Sequence, residues 1–137
     1  MTKNDLKQYS IPCSDAPGTL AKIAAALGKS GINIASISTM TVGNMAYVSF
    51  TAQPEEKVEQ ALKSAGYTAF FTNVIAVSLP NKPGELGKVC QTLSQEGVNI
   101  QNVYGCTNGQ SESTLIFTVN DYQKAKKVLE GFAAVAA

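Results

Sequence analysis

The sequence predicts an α+β chain built from two copies of one β-α-β-β-α-β unit, each an antiparallel sheet with both helices on one face. Two observations carry this. Residues 15–37 align with 81–103 without a gap and are identical at 8 of 23 positions, where composition alone gives roughly one or two. After each copy of this segment the apolar period changes from 3.6 to 2 and back, in the same order. Each unit has about 65 to 70 residues, near the lower size limit for independent folding. The predicted domains are residues 1–72 and 73–137.

The elements follow in order. Apolar segments at about Lys7 to Cys13 and Val74 to Leu79 predict the opening strands. Leu20, Ile23, Ala24 and Leu27, matched by Leu86, Val89, Cys90 and Leu93, recur at i, i+3, i+4 and i+7 and predict an amphipathic helix in each unit. Pro17 and Pro83 suit the first turn, Asp15 or Asn81 could cap it, and Gly31 and Gly97 close the far end. Ile32 to Val42 and Val98 to Cys106 then pair with strands containing Val48 and Phe50, or Leu115 and Phe117, as hairpins about Gly43-Asn44 and Asn108-Gly109. Matching Phe50 to Phe117 moves the repeat offset from 66 to 67, which places one extra residue in the second hairpin.

Second helices are predicted over Pro54 to Ala65 and Asp121 to Glu130, ended by Gly66 and Gly131. Tyr67 to Leu79 carries no turn signal, so one strand leads directly into the next, while Phe132 to Ala137 is a weak, Ala-rich final strand. This order is the split βαβ, or ferredoxin-like, arrangement. It leaves one sheet face bare, expected to carry Met45, Tyr47, Ser49 and Thr51 in the first unit and Thr114, Ile116 and Thr118 in the second. That mixture is apolar enough to predict a homodimer through sheet packing.

Composition excludes several chemistries. The 137 residues contain 11 Lys and 10 acidic residues but no His, Trp or Arg. Triads that need imidazole, His metal sites and bidentate guanidinium grips are therefore absent. Cys13, Cys90 and Cys106 form no C-x-x-C pair, which argues against a disulfide framework or a zinc site, and no metal or cofactor is expected. The opening Met-Thr-Lys-Asn-Asp-Leu lacks an apolar signal stretch, and no apolar run reaches the roughly 18 residues of a membrane span. A cytoplasmic protein without membrane association is the expectation.

An acylphosphatase-like reaction on this fold would need an arginine, and Gly84-Glu-Leu-Gly87-Lys88-Val89 has two residues between its glycines where a phosphate-binding loop needs four. Glu55, Glu56, Glu59, Glu96, Glu112 and Glu130 scatter over helix faces and turns as solvated charges. Gly43 to Phe50 faintly resembles the central strand of RNA-recognition motifs at Ala46, Tyr47, Val48 and Phe50, but the second unit lacks the aromatics and the net charge is +1. No enzymatic activity and no nucleic-acid partner are expected.

The repeated loop remains. Pro-Gly at a helix start can present the N–H groups of Gly18, Thr19 and Leu20, or of Gly84, Glu85 and Leu86, to a carboxylate at the positive end of the helix dipole. Equally, the loop can be only an efficient strand-to-helix connection in which Leu20 or Leu86 anchors the core.

The pattern Asp/Asn-x-Pro-Gly-x-Leu, then a helix, then Gly-Ile/Val-Asn-Ile opening a strand, resembles the ACT domain, twice, over about residues 7 to 131. The resemblance implies regulatory modules that sense amino acids, with ligand held at interfaces between paired modules or subunits. It implies contacts at Asp15, Ala16, Pro17, Gly18, Thr19, Leu20 and Asn33 in the first copy, and at Asn81, Lys82, Pro83, Gly84, Glu85, Leu86 and Asn99 in the second. Backbone N–H groups would take the α-carboxylate; Asp15, Glu85 or the amide oxygens of Asn33, Asn81 and Asn99 would take the α-ammonium. Asn33 and Asn99 have an equal alternative as turn residues that tolerate left-handed backbone. No catalytic or DNA-binding domain accompanies the modules, so the expected partner is a separate enzyme or transcription factor. The rival expectations are an interaction module without ligand and an RNA-binding sheet.

Overall fold

The computed structural model describes residues 5–107, 109 and 111–134. Residues Lys7–Thr72 form one compact unit, and Asn73 onward forms a second that also includes Leu6.

In the first unit β1 (Asp5–Ser14) is followed by α1 (Thr19–Lys29), β2 (Ile34–Val42), β3 (Met45–Ala52) and α2 (Glu55–Ser64). Both β1 and β2 pair antiparallel with β3, giving the order β2-β3-β1. In the second, β4 (Phe70–Pro80), α3 (Glu85–Gln95), β5 (Ile100–Thr107), β6 (Glu112–Val119), α4 (Tyr122–Val128) and the short return strand β7 (Ala133–Ala134) give the order β5-β6-β4-β7, again antiparallel. Where two strands in succession were expected, β4 is a single one, and the division between units falls inside it. Without a Gly, Pro or Asn-Gly signal, nothing in Tyr67 to Val74 breaks extended backbone.

Register locates the repeat in space. Ile37 opposes Phe50 and Val103 opposes Phe117, an offset of 66 on one strand and 67 on the other, so the extra residue belongs to the second hairpin turn. A bulge interrupts both hairpins at the same place, between Ile34 and Ser36 and between Ile100 and Asn102. The first turn has positive φ at Gly43 (63°) but not at Asn44, which excludes a type I′ turn. In the second, Gly109 has φ 103°, while Asn108 lies outside the described residues.

Three helices end in the same way. The N–H of Ile32, Tyr67 and Val98 donates to the carbonyl of Leu27, Leu62 and Leu93 at 2.9–3.0 Å, with Gly31, Gly66 and Gly97 at positive φ between. This is the Schellman closure, in which glycine takes the left-handed position that a side chain would strain. Gly131 differs from expectation: α4 stops at Val128 and a 3₁₀ turn, Leu129–Gly131, follows without positive φ at Gly131. The start of α4 is capped by Asp121, whose carboxylate accepts from the Lys124 N–H at 3.1 Å. The predicted final strand is reduced to β7, and Val135 to Ala137 lie outside the described residues.

The helices cover one sheet face. In the first unit Tyr9, Ile11, Val48 and Phe50 meet Ile23, Leu27, Val58 and Leu62, with Tyr9 stacked on Phe50 at 5.6 Å. In the second, Ile75, Val77, Leu79 and Phe117 meet Val89, Leu93, Ala125 and Leu129. The opposite face is less bare than expected. Thr51 is buried and its hydroxyl pairs with Ser36 at 2.6 Å, and Ser49 pairs with Ser10 at 2.8 Å. In the second unit Ile116 is buried with Leu6, Val74 and Ala76, and Tyr104 packs against them. Of the expected apolar residues, Met45 and Tyr47 do stand exposed, beside Met40 and Val42. Among the described residues no helix is long and apolar enough to cross a membrane.

Two predictions follow from this packing. A Cβ at Gly105 would overlap the Thr114 carbonyl oxygen and sit 2.8 Å from Leu115 Cδ2, both in the paired strand. Gly105→Ala should therefore cost about 2–4 kcal/mol in a urea melt. Gly28→Ala, in open space near the end of α1, should instead gain roughly 0.5–1 kcal/mol. Comparable losses from both would refute the close-approach argument.

The second concerns alkaline pH. The Tyr9 phenol is pushed up to about 12 by burial, with smaller contributions from the negative Glu59 and Glu55. Lys7 is also raised, chiefly by its hydrogen bond to Glu55 at 2.9 Å, with Glu59 at 3.9 Å. An unfolded tyrosine ionises near pH 10 while the folded one keeps its proton, so this stability is present below pH 10 and is lost as pH rises toward 12. The loss should be on the order of 2 kcal/mol. Tyr9→Phe should flatten that fall in a pH-dependent urea titration; an unchanged slope would show that Tyr9 does not cause it.

Candidate functional site

The two repeated loops have nearly the same backbone. Gly18 caps α1 with φ 88° and ψ −9°, and Gly84 caps α3 with φ 89° and ψ −12°. The prolines therefore precede the helices instead of entering their first turn. Neither Asp15 nor Asn81 supplies a cap, because no side-chain cap hydrogen bond is present at either end. Left-handed backbone at the N-cap explains both corrections: it turns the chain sharply enough that the preceding side chain no longer overhangs the first N–H groups.

Each loop is tied back to the neighbouring hairpin tip. The Asp15 N–H donates to the Asn44 carbonyl at 3.4 Å, and the Asn81 N–H donates to that of Ser111 at 2.9 Å. Inside the loops, Thr19 N–H reaches the Ala16 carbonyl at 3.3 Å and Glu85 N–H that of Lys82 at 3.4 Å. These two donors, expected to meet a carboxylate, are partly engaged in the turn. The N–H groups of Gly18, Leu20 and Ala21, and of Gly84, Leu86 and Gly87, find no backbone acceptor among the described residues. They form the open positive end of each helix.

The side chains differ between the copies. Asp15, Ala16, Pro17 and Leu20 are exposed and Thr19 is half-buried, so the first loop offers one carboxylate and no cation. In the second, Asn81, Lys82, Pro83 and Leu86 are exposed, and Glu85 is held by Lys88 Nζ at 2.8 Å. Glu85 is thus already paired where it was expected to meet an ammonium group. Leu20 and Leu86 do not anchor the core: they are 43 % and 44 % exposed, at the same place in both units.

Asn33 and Asn99 stand apart from the loops. Ser14 is level with Met45 and Val42 at one end of the first sheet, while Gln8, Thr51 and Ser36 mark the other. Asn33, just before β2, is therefore about 30 Å from the loop along the strand direction. The same holds for Asn99, since Pro80 pairs with Glu112 and Ile100 with Val119 at the two ends of β6. No residue other than glycine has positive φ among the described residues, so neither Asn is the left-handed turn residue expected. Asn99 instead fixes the strand end through its backbone: its N–H donates to Asn120 Oδ1 at 2.9 Å and its carbonyl accepts from the Asn120 N–H at 3.1 Å.

Other candidate chemistry is sparse. Among the described residues no group of three or more His, Cys, Asp or Glu side chains could hold a metal ion. Cys90 is half-buried in α3, Cys13 lies near the Ala46 carbonyl at 3.5 Å and Cys106 is exposed. Val48 and Phe50 of the RNA-recognition-like strand are core residues, so only Tyr47 remains for a base to stack on. The periodicity of the sequence gave no sign of a cavity under α2, lined by Tyr9, Glu59, Leu62, Lys63, Tyr67, Ala69 and Phe71. The aromatic residues Tyr9, Tyr67 and Phe71, clustered at the two ends of the unit, were the available signal.

Comparison with known proteins bears on the whole chain. The fold is similar to that of protein BT0572 from Bacteroides thetaiotaomicron, with a TM-score of 0.90 and 27% identity over 97% of this chain and 93% of that one. It is also similar to the ligand-free regulatory subunit of aspartate kinase from Thermus thermophilus, at TM-score 0.70 and 20% identity over 93% of this chain and 89% of that one. The corresponding subunit from Thermus flavus gives a TM-score of 0.63 and 20% identity over 95% and 93% of the two chains. No curated protein matches the sequence. Residues 4–132 match the family described as the ACT domain pair, and with the loop, hairpin and helix order in place in both units the chain belongs to that family.

Proposed function

We propose that this protein is a non-enzymatic, cytoplasmic regulatory protein that senses an amino acid through its ACT modules, residues 1–72 and 73–137, and acts on a separate enzyme or transcription factor. The observation that carries the reading is the duplicated N-cap: a left-handed glycine, open N–H groups behind it and an exposed leucine, in the same geometry in both units. The N–H groups suit the α-carboxylate common to amino acids. Asp15 in the first copy suits the α-ammonium, and Lys82 in the second adds positive charge for the carboxylate. Leu20 and Leu86 supply an apolar rim that a second module, in a homodimer, would cover. Ligand at such an interface regulates only if it binds one packing arrangement more tightly than another.

Membership of the ACT domain pair family supports the regulatory role. The Thermus thermophilus structure named as a regulatory subunit of aspartate kinase supports it by analogy of fold. A second reading, an interaction module without ligand, is favoured by the exposed Met40, Val42, Met45 and Tyr47 on the first unit's sheet.

A thermal-shift screen of the twenty amino acids separates the two. At about a hundredfold excess over the dissociation constant a true ligand should add roughly 2.7 kcal/mol and raise Tm by several degrees. A folded protein that none of them shifts would support the interaction module instead. For the loops themselves, Gly18→Val and Gly84→Val meet no clash but force a β-branched residue to positive φ. Each should lose about 1–2 kcal/mol of stability and abolish binding at its own copy. Asn, which tolerates this backbone, should fold with a smaller loss; unchanged ligand affinity in both Val variants would remove the loops from the site.

A further inference from the structure

The core of the first unit is not closed beneath α2. Tyr9 is 2 % exposed, yet its hydroxyl has no hydrogen-bond partner among the described residues. Folded proteins normally avoid an orphaned buried hydroxyl. This one borders a cavity of about 240 Å³ walled by Leu62, Tyr67, Ala69 and Phe71, with Glu59 and Lys63 of α2 also lining it.

The second unit supplies an internal control. Ile75 opposes Phe117 as Tyr9 opposes Phe50, and Ile75 is fully buried. At this position the fold needs an apolar side chain and no hydroxyl. Stacking on Phe50 uses the ring of Tyr9 and would be served by Phe.

The wall is also held in place. Phe71, 60 % exposed, has Lys7 Nζ 4.3 Å from its ring centroid, and Lys7 is fixed in turn by Glu55 at 2.9 Å. A large aromatic residue is thus fixed beside the cavity although most of its surface is exposed.

We propose that this cavity binds a small aromatic molecule bearing one uncharged hydrogen-bonding group, of the phenol or indole kind, whose polar atom pairs with the Tyr9 hydroxyl while its ring lies against Tyr67 and Phe71. The site is separate from the repeated loops: Tyr9 and Asp15 are six residues apart along an extended strand, roughly 20 Å. It belongs to the first unit only, since Ile75 offers no hydroxyl.

The test is titration of the purified full chain with indole and with phenol, followed by calorimetry or ligand-detected NMR, in the wild type and in Tyr9→Phe. Saturable binding of at least one probe is expected, weakened about tenfold or more in Tyr9→Phe, while Tyr9→Phe without probe melts no lower than the wild type. Ala69→Leu, which adds bulk at the cavity wall and leaves the Tyr9 hydroxyl in place, should abolish binding. Gly18→Val and Gly84→Val should leave it unchanged. The proposal is overturned if neither probe binds, if Tyr9→Phe binds as tightly as the wild type, or if Tyr9→Phe alone lowers Tm by several degrees, which would reveal a structural partner for the hydroxyl.

Discussion

The antiparallel pairing of β1 with β3, and of β4 with β6, is the constraint from which the rest of each unit follows. It sets Tyr9 against Phe50 and Ile75 against Phe117, the large buried pairs around which both helical layers pack. A slip of one residue would turn Phe50 outward and bring Thr51 and Ser49 into the apolar core. The same register decides where the ends of the sheet fall. Because β1 and β2 run parallel, the Pro-Gly loop meets the hairpin tip at one end, and the helix closures at Gly31 and Gly97 gather with Asn33 and Asn99 at the other. The open N–H donors of α1 and α3 thereby stand at one end of each unit, opposite the glycine closures of those helices.

Much of this was legible because it rests on period and on glycine. The stripes Ile23/Leu27 and Val89/Leu93 are buried as their spacing implies, and Gly31, Gly66 and Gly97 close helices with positive φ. The first-turn residues Leu20 and Leu86 share that spacing but stay exposed. A helical period states which face a residue occupies, not whether a sheet extends far enough beneath it. Capping failed for a related reason: Asp15 and Asn81 have suitable side chains, but a left-handed glycine three residues on redirects the chain before they can reach. The orphaned Tyr9 hydroxyl was invisible, since sequence shows a donor and never the absence of its partner.

Backbone likeness and side-chain divergence separate cleanly between the two units. Ser36 and Thr51 share a 2.6 Å hydrogen bond, whereas Asn102 stands opposite Thr118, whose buried hydroxyl has no partner among the described residues. The second hairpin requires Gly105 for its close approach, where the aligned residue of the first is Thr39. Glu85 is paired with Lys88, while at the same place the first unit has Thr19 and Lys22. Shared register and shared glycine geometry preserve the fold, and each unit fills the remaining positions differently.

This division has a chemical logic at the loops. A group that every member of a ligand class shares, such as an α-carboxylate, is best met by backbone donors, because no substitution except to proline removes them. Features that distinguish one member from another must be read by side chains. Gly18 and Gly84 agree within a few degrees in φ and ψ, whereas Asp15 and Thr19 surround the first and Asn81, Lys82 and Glu85 the second. A duplicated unit that keeps its backbone donors and changes only the surrounding charges can accept the same general class of ligand at both copies while ranking its members differently at each.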